Sequence, residues 1–358
     1  MDITGMEETA RALVASGKGV LAADESTPTM AKRLSSIGLE STEPLRRAYR
    51  EILFTTDGLS DHIGGVILYD ETVGQRDPDG TPFPDLLQRR GIVPGIKVDG
   101  GTRPLAGFPG EVATQGLDGL RERLDDYALL GLRFAKWRAV IRVGDGLPTD
   151  ACVEANAHEL ARYASLSQEA GLTPIVEPEV LMDGQHDLET CAHVTERVLR
   201  EVYAQLGRQR VALEATLLKP NMVLPGSESG STATDAQIAR ATVEVLRRTV
   251  PAAVPGVLFL SGGQSDEQAT ARLDAINRLG AQPWKLSFSF GRALQAPVLH
   301  AWAGDEANRQ AAQDALLKRA RLNGAARQGR YDVRLEQEAV HRDAVQQEMP
   351  AQALADRE

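Results

Sequence analysis

Charged residues stand two positions apart inside otherwise apolar segments of this chain. Lys97 and Asp99, Lys136 and Arg138, and Glu177 and Glu179 are such pairs, and Asp24, Lys219 and Arg292 close or follow further apolar runs. A spacing of two puts both members of a pair on one face of a strand. Burying an ion costs several kcal/mol unless it is paired. A chain that buries one at strand after strand is building a polar pocket. Amines and carboxylates held together in such a pocket are the groups of carbonyl attack and of general acid–base catalysis. Any single one of these charges could instead be a strand end facing water, and Lys136 with Glu177 could be a structural ion pair. It is the ensemble that carries the signal.

Neighbouring residues add geometry. Pro178 and Pro220 follow Glu177 and Lys219. Each proline pushes the residue before it toward extended backbone, and each can also end its strand. Ser261, Gly262 and Gly263 close another run just ahead of a helical segment. Glycines let backbone approach an anion there, and a helix N-terminus favours negative charge. Arg292, one run later, offers a planar fork to the same anion. The six histidines show no HxxH or HExxH spacing and the carboxylates no EF-hand pattern, so no metal site is expected. His186 reads as a loop or capping residue.

The elements that must position these residues recur regularly. Apolar runs span residues 19–24, 64–70, 93–99, 133–141, 173–180, 214–223, 254–263 and 285–291. Their centres lie roughly 30–45 residues apart, enough for a crossover helix each time. Leu117, Leu120, Leu124 and Tyr127 fall at helical spacing, as do Leu188, Cys191, Val194 and Val198, and Ala269, Leu273 and Ile276. Ser265 with Gln268 forms a capping-box pattern before the last of these. Strands alternating with helices give a parallel sheet, and eight units favour an α/β (β/α)8 barrel over an open doubly wound sheet. No GxGxxG follows the first run. Barrel enzymes place their catalytic groups at the C-terminal ends of the strands, where these charges fall. Residues 1–331 read as one barrel with an N-terminal helix. Residues 332–358 are polar and poor in aromatics, and read as a mobile tail.

The chain has 358 residues, 42% of them hydrophobic, which is ordinary for a sizeable core. A net charge of −10 argues against a general affinity for nucleic acid or anionic membrane. The two cysteines, Cys152 and Cys191, form no disulfide framework, and neither a secretory nor a spanning segment is apparent. A cytoplasmic setting is expected.

The motifs GKGVLAADEST, AKRLSSIG, GIKVDGG, LAGFPGE, TQGLDGL, FAKWR, ARYAS, PIVEPE, LLKPNMV, FLSGGQS and SFGRALQAP follow one another between Gly17 and about Tyr331. In this order they resemble the class I, Schiff-base fructose-1,6-bisphosphate aldolases. The resemblance implies that Lys219 attacks the ketose carbonyl, with Glu177 as acid/base for forming and dehydrating the carbinolamine. It implies that Asp24 handles the C4 hydroxyl, that Lys136 stands beside the Schiff base and that Glu179 lines the site. Ser261, Gly262, Gly263 and Arg292 would hold the C1 phosphate. Ser26, Arg33 and Lys97 would lie near the C6 phosphate, with Arg138 a further phosphate-side group. No cofactor and no metal is implied, because the iminium itself serves as electron sink. Sugar phosphates are the implied ligands and a homotetramer the implied assembly.

Four departures from the family pattern stand out. The family often has serine at Thr29, tyrosine at Phe290 and lysine at Gly100, and many members end in tyrosine, whereas this sequence ends in Glu358. These differences leave open a preference for fructose 1-phosphate or sedoheptulose 1,7-bisphosphate. A catalytically silent barrel is the alternative from another class.

Overall fold

The computed structural model describes residues 3–337. Ten strands form in chain order: β1 (Gly19–Ala23), β2 (Ile63–Leu68), β3 (Val93–Lys97), β4 (Thr102–Pro104), β5 (Val112–Thr114), β6 (Phe134–Ile141), β7 (Thr173–Val180), β8 (Leu217–Leu218), β9 (Gly256–Phe259) and β10 (Lys285–Phe290). Eight of them close a parallel barrel in the order β1-β2-β3-β6-β7-β8-β9-β10, and β4 pairs with β5 as an antiparallel hairpin. The (β/α)8 expectation is therefore met. The hairpin is an addition that the sequence reading did not contain. Its strands are three residues each, half-exposed and set among glycines and prolines, so they carry no apolar run.

Helices α1 (Ile3–Leu13), α2 (Thr27–Ser35), α3 (Glu43–Phe54), α4 (Asp70–Val73), α5 (Phe83–Arg89), α6 (Leu120–Leu129), α7 (Asp150–Glu169), α8 (Leu188–Arg208), α9 (Asp235–Thr249), α10 (Asp266–Asn277), α11 (Arg292–Trp302) and α12 (Arg309–Ala326) accompany the barrel. The Ser265–Gln268 capping box forms at the start of α10 as expected. Asp187 rather than His186 caps α8, accepting from the Thr190 N–H at 2.8 Å. No helix among the described residues is long and apolar enough to cross a membrane.

The barrel interior changes character along its axis. Val20, Ala22, Ile67, Phe134, Ile175, Leu217 and Leu258 make an apolar cluster with Ala10, Leu13 and Val14 from α1 and the turn after it. Two glycines make room for it. A Cβ on Gly95 would lie 2.4 Å from the Phe134 ring, and one on Gly65 would lie 2.3 Å from Leu13. Moving two residues up the same strand faces leads from Ala22 to Asp24, from Phe134 to Lys136, from Ile175 to Glu177 and from Leu217 to Lys219. The strand period thus converts an apolar floor into an ionic ceiling.

Of the tail expected over residues 332–358, residues 338–358 lie outside the described residues. Glu336 is held by Arg319 at 2.5 Å and lies 3.1 Å from the Tyr331 hydroxyl.

Candidate active site

The C-terminal mouth of the barrel holds a cavity of ≈ 520 Å³. It is lined by Lys219, Glu177, Asp24, Lys136 and Glu179, and by Ser26, Arg33, Lys97, Arg138, Ser261, Gly262 and Arg292. Gly263 does not line it but lies just behind, where a Cβ would come 3.8 Å from the Arg292 guanidinium. Gly262 and Gly263 take φ of +48° and +85°, a left-handed backbone that favours glycine.

At the cavity floor two lysines share one carboxylate. Lys219 Nζ lies 3.1 Å from Glu177 Oε1, and Lys136 Nζ lies 3.0 Å from Glu177 Oε2 and 2.7 Å from Asp24 Oδ2. All four residues come from different strands or strand ends. Lys219 follows β8, where Pro220 curtails the ladder, yet its N–H still bonds Val176 O at 2.8 Å. Asn221 ties the two strands by accepting from the Val180 N–H at 3.0 Å.

Lys136, Glu177 and Lys219 are buried, and the Asp24 side chain is 13% exposed. Burial alone would raise the Asp24 pKa, but the charges of Lys136 and Lys219 outweigh it and hold the carboxyl well below its ordinary value. Burial likewise opposes ionisation of Glu177. Lys136, Lys219 and Arg138 reverse that effect and keep it low. Burial would lower the Lys136 pKa, but Asp24, Glu177 and Asp99 raise it. Lys136 is therefore a fixed cation between two fixed anions.

The walls carry further charge. Lys97 pairs with Asp99 at 2.7 Å and stands directly across from Lys136 in the β3–β6 register. Arg138 forms a short ion pair with Glu179. The unforeseen hairpin braces this wall, since Thr114 donates to Arg138 O at 2.8 Å. At the start of α2 Ser26 and Thr29 share a hydroxyl–hydroxyl bond of 3.0 Å. Arg33 pairs with Glu25 at 2.6 Å, and its Nη2 lies 3.6 Å from where a Gly291 Cβ would sit. Arg33 therefore stands beside the Gly291–Arg292 turn. Arg292 is exposed and makes no ion pair among the described residues.

Sequence reasoning missed Ala22, Glu25, Lys32, Ser36, Leu260, Ser289 and Gly291, which also line the cavity. Lys32 and Ser36 share the α2 side marked by Thr29 and Arg33, so helical spacing was a usable signal. Ser289 could have been found from the strand period, two residues beyond Ser287. Its buried hydroxyl has no hydrogen-bond partner. Phe290, in contrast, points to the outer core, where it packs on Phe288 with ring centroids 5.4 Å apart, and does not line the cavity. A larger groove of ≈ 740 Å³ lies between α7 and α8, but it holds none of the buried ion pairs. Among the described residues no group of three or more His, Cys, Asp or Glu side chains is placed to hold a metal ion.

Comparison with known proteins bears on this site. Residues 5–350 match the family model for "Glycolytic: Fructose-bisphosphate aldolase class-I". A "probable fructose-bisphosphate aldolase class 1" of Xanthomonas axonopodis pv. citri is 54% identical over 332 residues, covering 92% of this chain and 99% of that protein. "Fructose-bisphosphate aldolase 6, cytosolic" of Arabidopsis thaliana is 56% identical over 316 residues, 88% of each chain. The solved structure of fructose-bisphosphate aldolase from Plasmodium falciparum, in complex with TRAP and a small-molecule inhibitor, superimposes with a TM-score of 0.91 at 49% identity. It covers 92% of this chain and 96% of that one.

Proposed function

Because the chain belongs to the class I fructose-bisphosphate aldolase family, whose reaction is the reversible cleavage of fructose 1,6-bisphosphate to dihydroxyacetone phosphate and glyceraldehyde 3-phosphate in glycolysis and gluconeogenesis, we propose that Lys219 is the nucleophile of that reaction. The observation that carries this is the unequal placing of the two buried lysines. Lys136 is locked between Asp24 and Glu177, whereas among the described residues Lys219 forms an ion pair with Glu177 alone. Lys219 is the amine free to give up its proton, and Glu177, 3.1 Å away, is the group to receive it.

The neutral amine of Lys219 attacks C2 of the open-chain ketose. Its positive charge is one of those holding Glu177 low. Discharging it raises the proton affinity of Glu177 at the moment an acid is needed to expel water from the carbinolamine. The resulting iminium draws electrons from the C3–C4 bond while Asp24, kept ionised by Lys136, takes the C4 hydroxyl proton. Glyceraldehyde 3-phosphate leaves, and the enamine is protonated at C3 and hydrolysed to release dihydroxyacetone phosphate. Lys136 stabilises the ionised state from which both carboxylates start and to which they return.

The phosphates belong at the walls. Ser261, Gly262 and Gly263, with Arg292, receive one, and Arg33 supports the same side. Ser26, Lys97 and Arg138 receive the other, with Glu179 orienting Arg138. Sugar bisphosphates are the substrate class. A cytoplasmic setting is supported by the cytosolic Arabidopsis relative, and a homotetramer by the family resemblance. The assay is cleavage of fructose 1,6-bisphosphate by wild type and Lys219→Ala. Wild-type turnover persists in EDTA, and the variant loses at least about 10⁴-fold in kcat. Strict loss on chelation, or an active Lys219→Ala enzyme, contradicts the reading.

A further inference from the structure

Glu25 stands outside the reaction scheme but directly beneath one of its binding groups. Its carboxylate is 4% exposed, and its Oε1 lies 2.6 Å from Arg33 Nη1. The same oxygen accepts from Gln295 Nε2 at 2.8 Å, and that amide is fixed by a second bond of 2.7 Å to Ala22 O. Arg50, buried in α3, donates to Glu25 O at 2.9 Å and brings its charge within 3.9 Å of Glu25 Oε2. On its far side Arg50 Nη1 lies 3.7 Å from Glu71. Glu25 is thus clamped by β1, α3 and α11, while the Arg33 side chain it holds is 19% exposed and lies toward Gly291 and Arg292.

We propose that Glu25 is the positioning residue of Arg33, fixing its guanidinium on the Gly291–Arg292 face of the cavity so that it meets an incoming sugar phosphate without reorganising. The inference rests on the reading of that face as a phosphate site. A buried ion pair adds little net stability, and what it fixes here is direction. The energetic reason is entropic. An arginine on a short helix would otherwise sample many rotamers, and ordering it on binding would weaken affinity. Glu25 carries the same sign as the anion and does not itself bind it, and Arg50 shares the balancing of its charge with Arg33. No spacing marks Glu25, which simply follows Asp24.

Glu25→Gln keeps the shape and an acceptor oxygen but removes the charge. The KM for fructose 1,6-bisphosphate rises about tenfold, as expected for loss of a charge-assisted contact, while kcat falls far less. Glu25→Asp, which keeps the charge at shorter reach, gives an intermediate KM. In an Arg33→Ala background Glu25→Gln adds nothing further to KM, because its only route to substrate is gone. A merely structural role would raise KM by the same factor with or without Arg33. That additive result overturns the proposal, as does an unchanged or lowered KM. If Glu25→Gln does not fold, Glu25→Asp carries the same comparison in both backgrounds. Adduct formation at Lys219 in the wild-type enzyme is measured alongside. Its absence would fault the underlying reading, whereas a normal adduct with an unmoved KM faults this inference alone.

Discussion

The lower and upper halves of the barrel interior are built from the same strands and solve opposite problems. Below, Phe134, Ile175 and Leu217 fill space against Leu13 of α1 with no polar atom in their side chains. Above, Lys136, Glu177 and Lys219 occupy the next inward positions with every charge paired within 3.1 Å. The lower half contributes stability through burial and close packing. The upper half returns little of it, because ion pairing barely offsets desolvation. What the upper half gains is orientation, with polar groups set in place before substrate arrives. A second contrast lies within the upper half. The floor ions are paired, whereas Arg292 at the rim has no ion pair among the described residues, so the floor is set for chemistry and the rim for an anion.

Substitutions can separate these regions. Lys136→Met should be the most damaging to both stability and turnover. It strands Asp24 and Glu177 without their shared cation, and urea denaturation should show a loss of about 3–5 kcal/mol. A stability change near zero with full activity would erase the distinction drawn for the floor. Leu13→Ala should cost a comparable or smaller amount, about 2–5 kcal/mol, by opening a cavity in the apolar plug. Its kcat, measured well below the unfolding temperature, should be unchanged. If kcat collapses, the two halves are not separable. Arg292→Ala should leave stability intact and raise KM roughly ten- to hundredfold, the value of a charged hydrogen bond to phosphate. A kcat effect without a KM effect would move Arg292 from rim to floor.

The smallest effect is on pH dependence. Asp24 and Glu177 have folded pKa values below their ordinary 3.8 and 4.5. Their contribution to stability is fully present above those ordinary values and is lost as pH falls through the lower, folded ones. Lys136 is raised above its ordinary 10.5, so its contribution is fully present below 10.5 and is lost as pH rises through the folded value. Between these limits the cluster gives a flat profile. Denaturation midpoints of wild type should fall more steeply on the acid side than those of Asp24→Asn. Parallel curves would mean that the pair does not contribute.

The barrel was legible in the sequence because strands buried on both faces read as apolar runs, and the site because several of those runs broke that rule with a charge inside them or at the end. The β4–β5 hairpin was not legible, since short half-exposed strands between glycines leave neither signal. The support under Arg33 was hidden for a different reason. Arg46 and Arg50 of α3 are buried, Arg46 against Glu71 and Arg50 between Glu25 and Glu71. Their partners lie about one helix away in sequence, and nothing local marks the pairing. Ser289 has the right strand period, but a serine in a strand looks neutral until its hydroxyl is found buried, facing the cavity and without a hydrogen-bond partner among the described residues.

The central claim is that of two buried lysines sharing Glu177, only Lys219 forms the covalent intermediate. Incubating the enzyme with dihydroxyacetone phosphate, reducing with borohydride and mapping the modified peptide by mass spectrometry tests it directly. The account predicts a single adduct on Lys219, with Lys136 unmodified. An adduct on Lys136, or none at all from active enzyme, would contradict it.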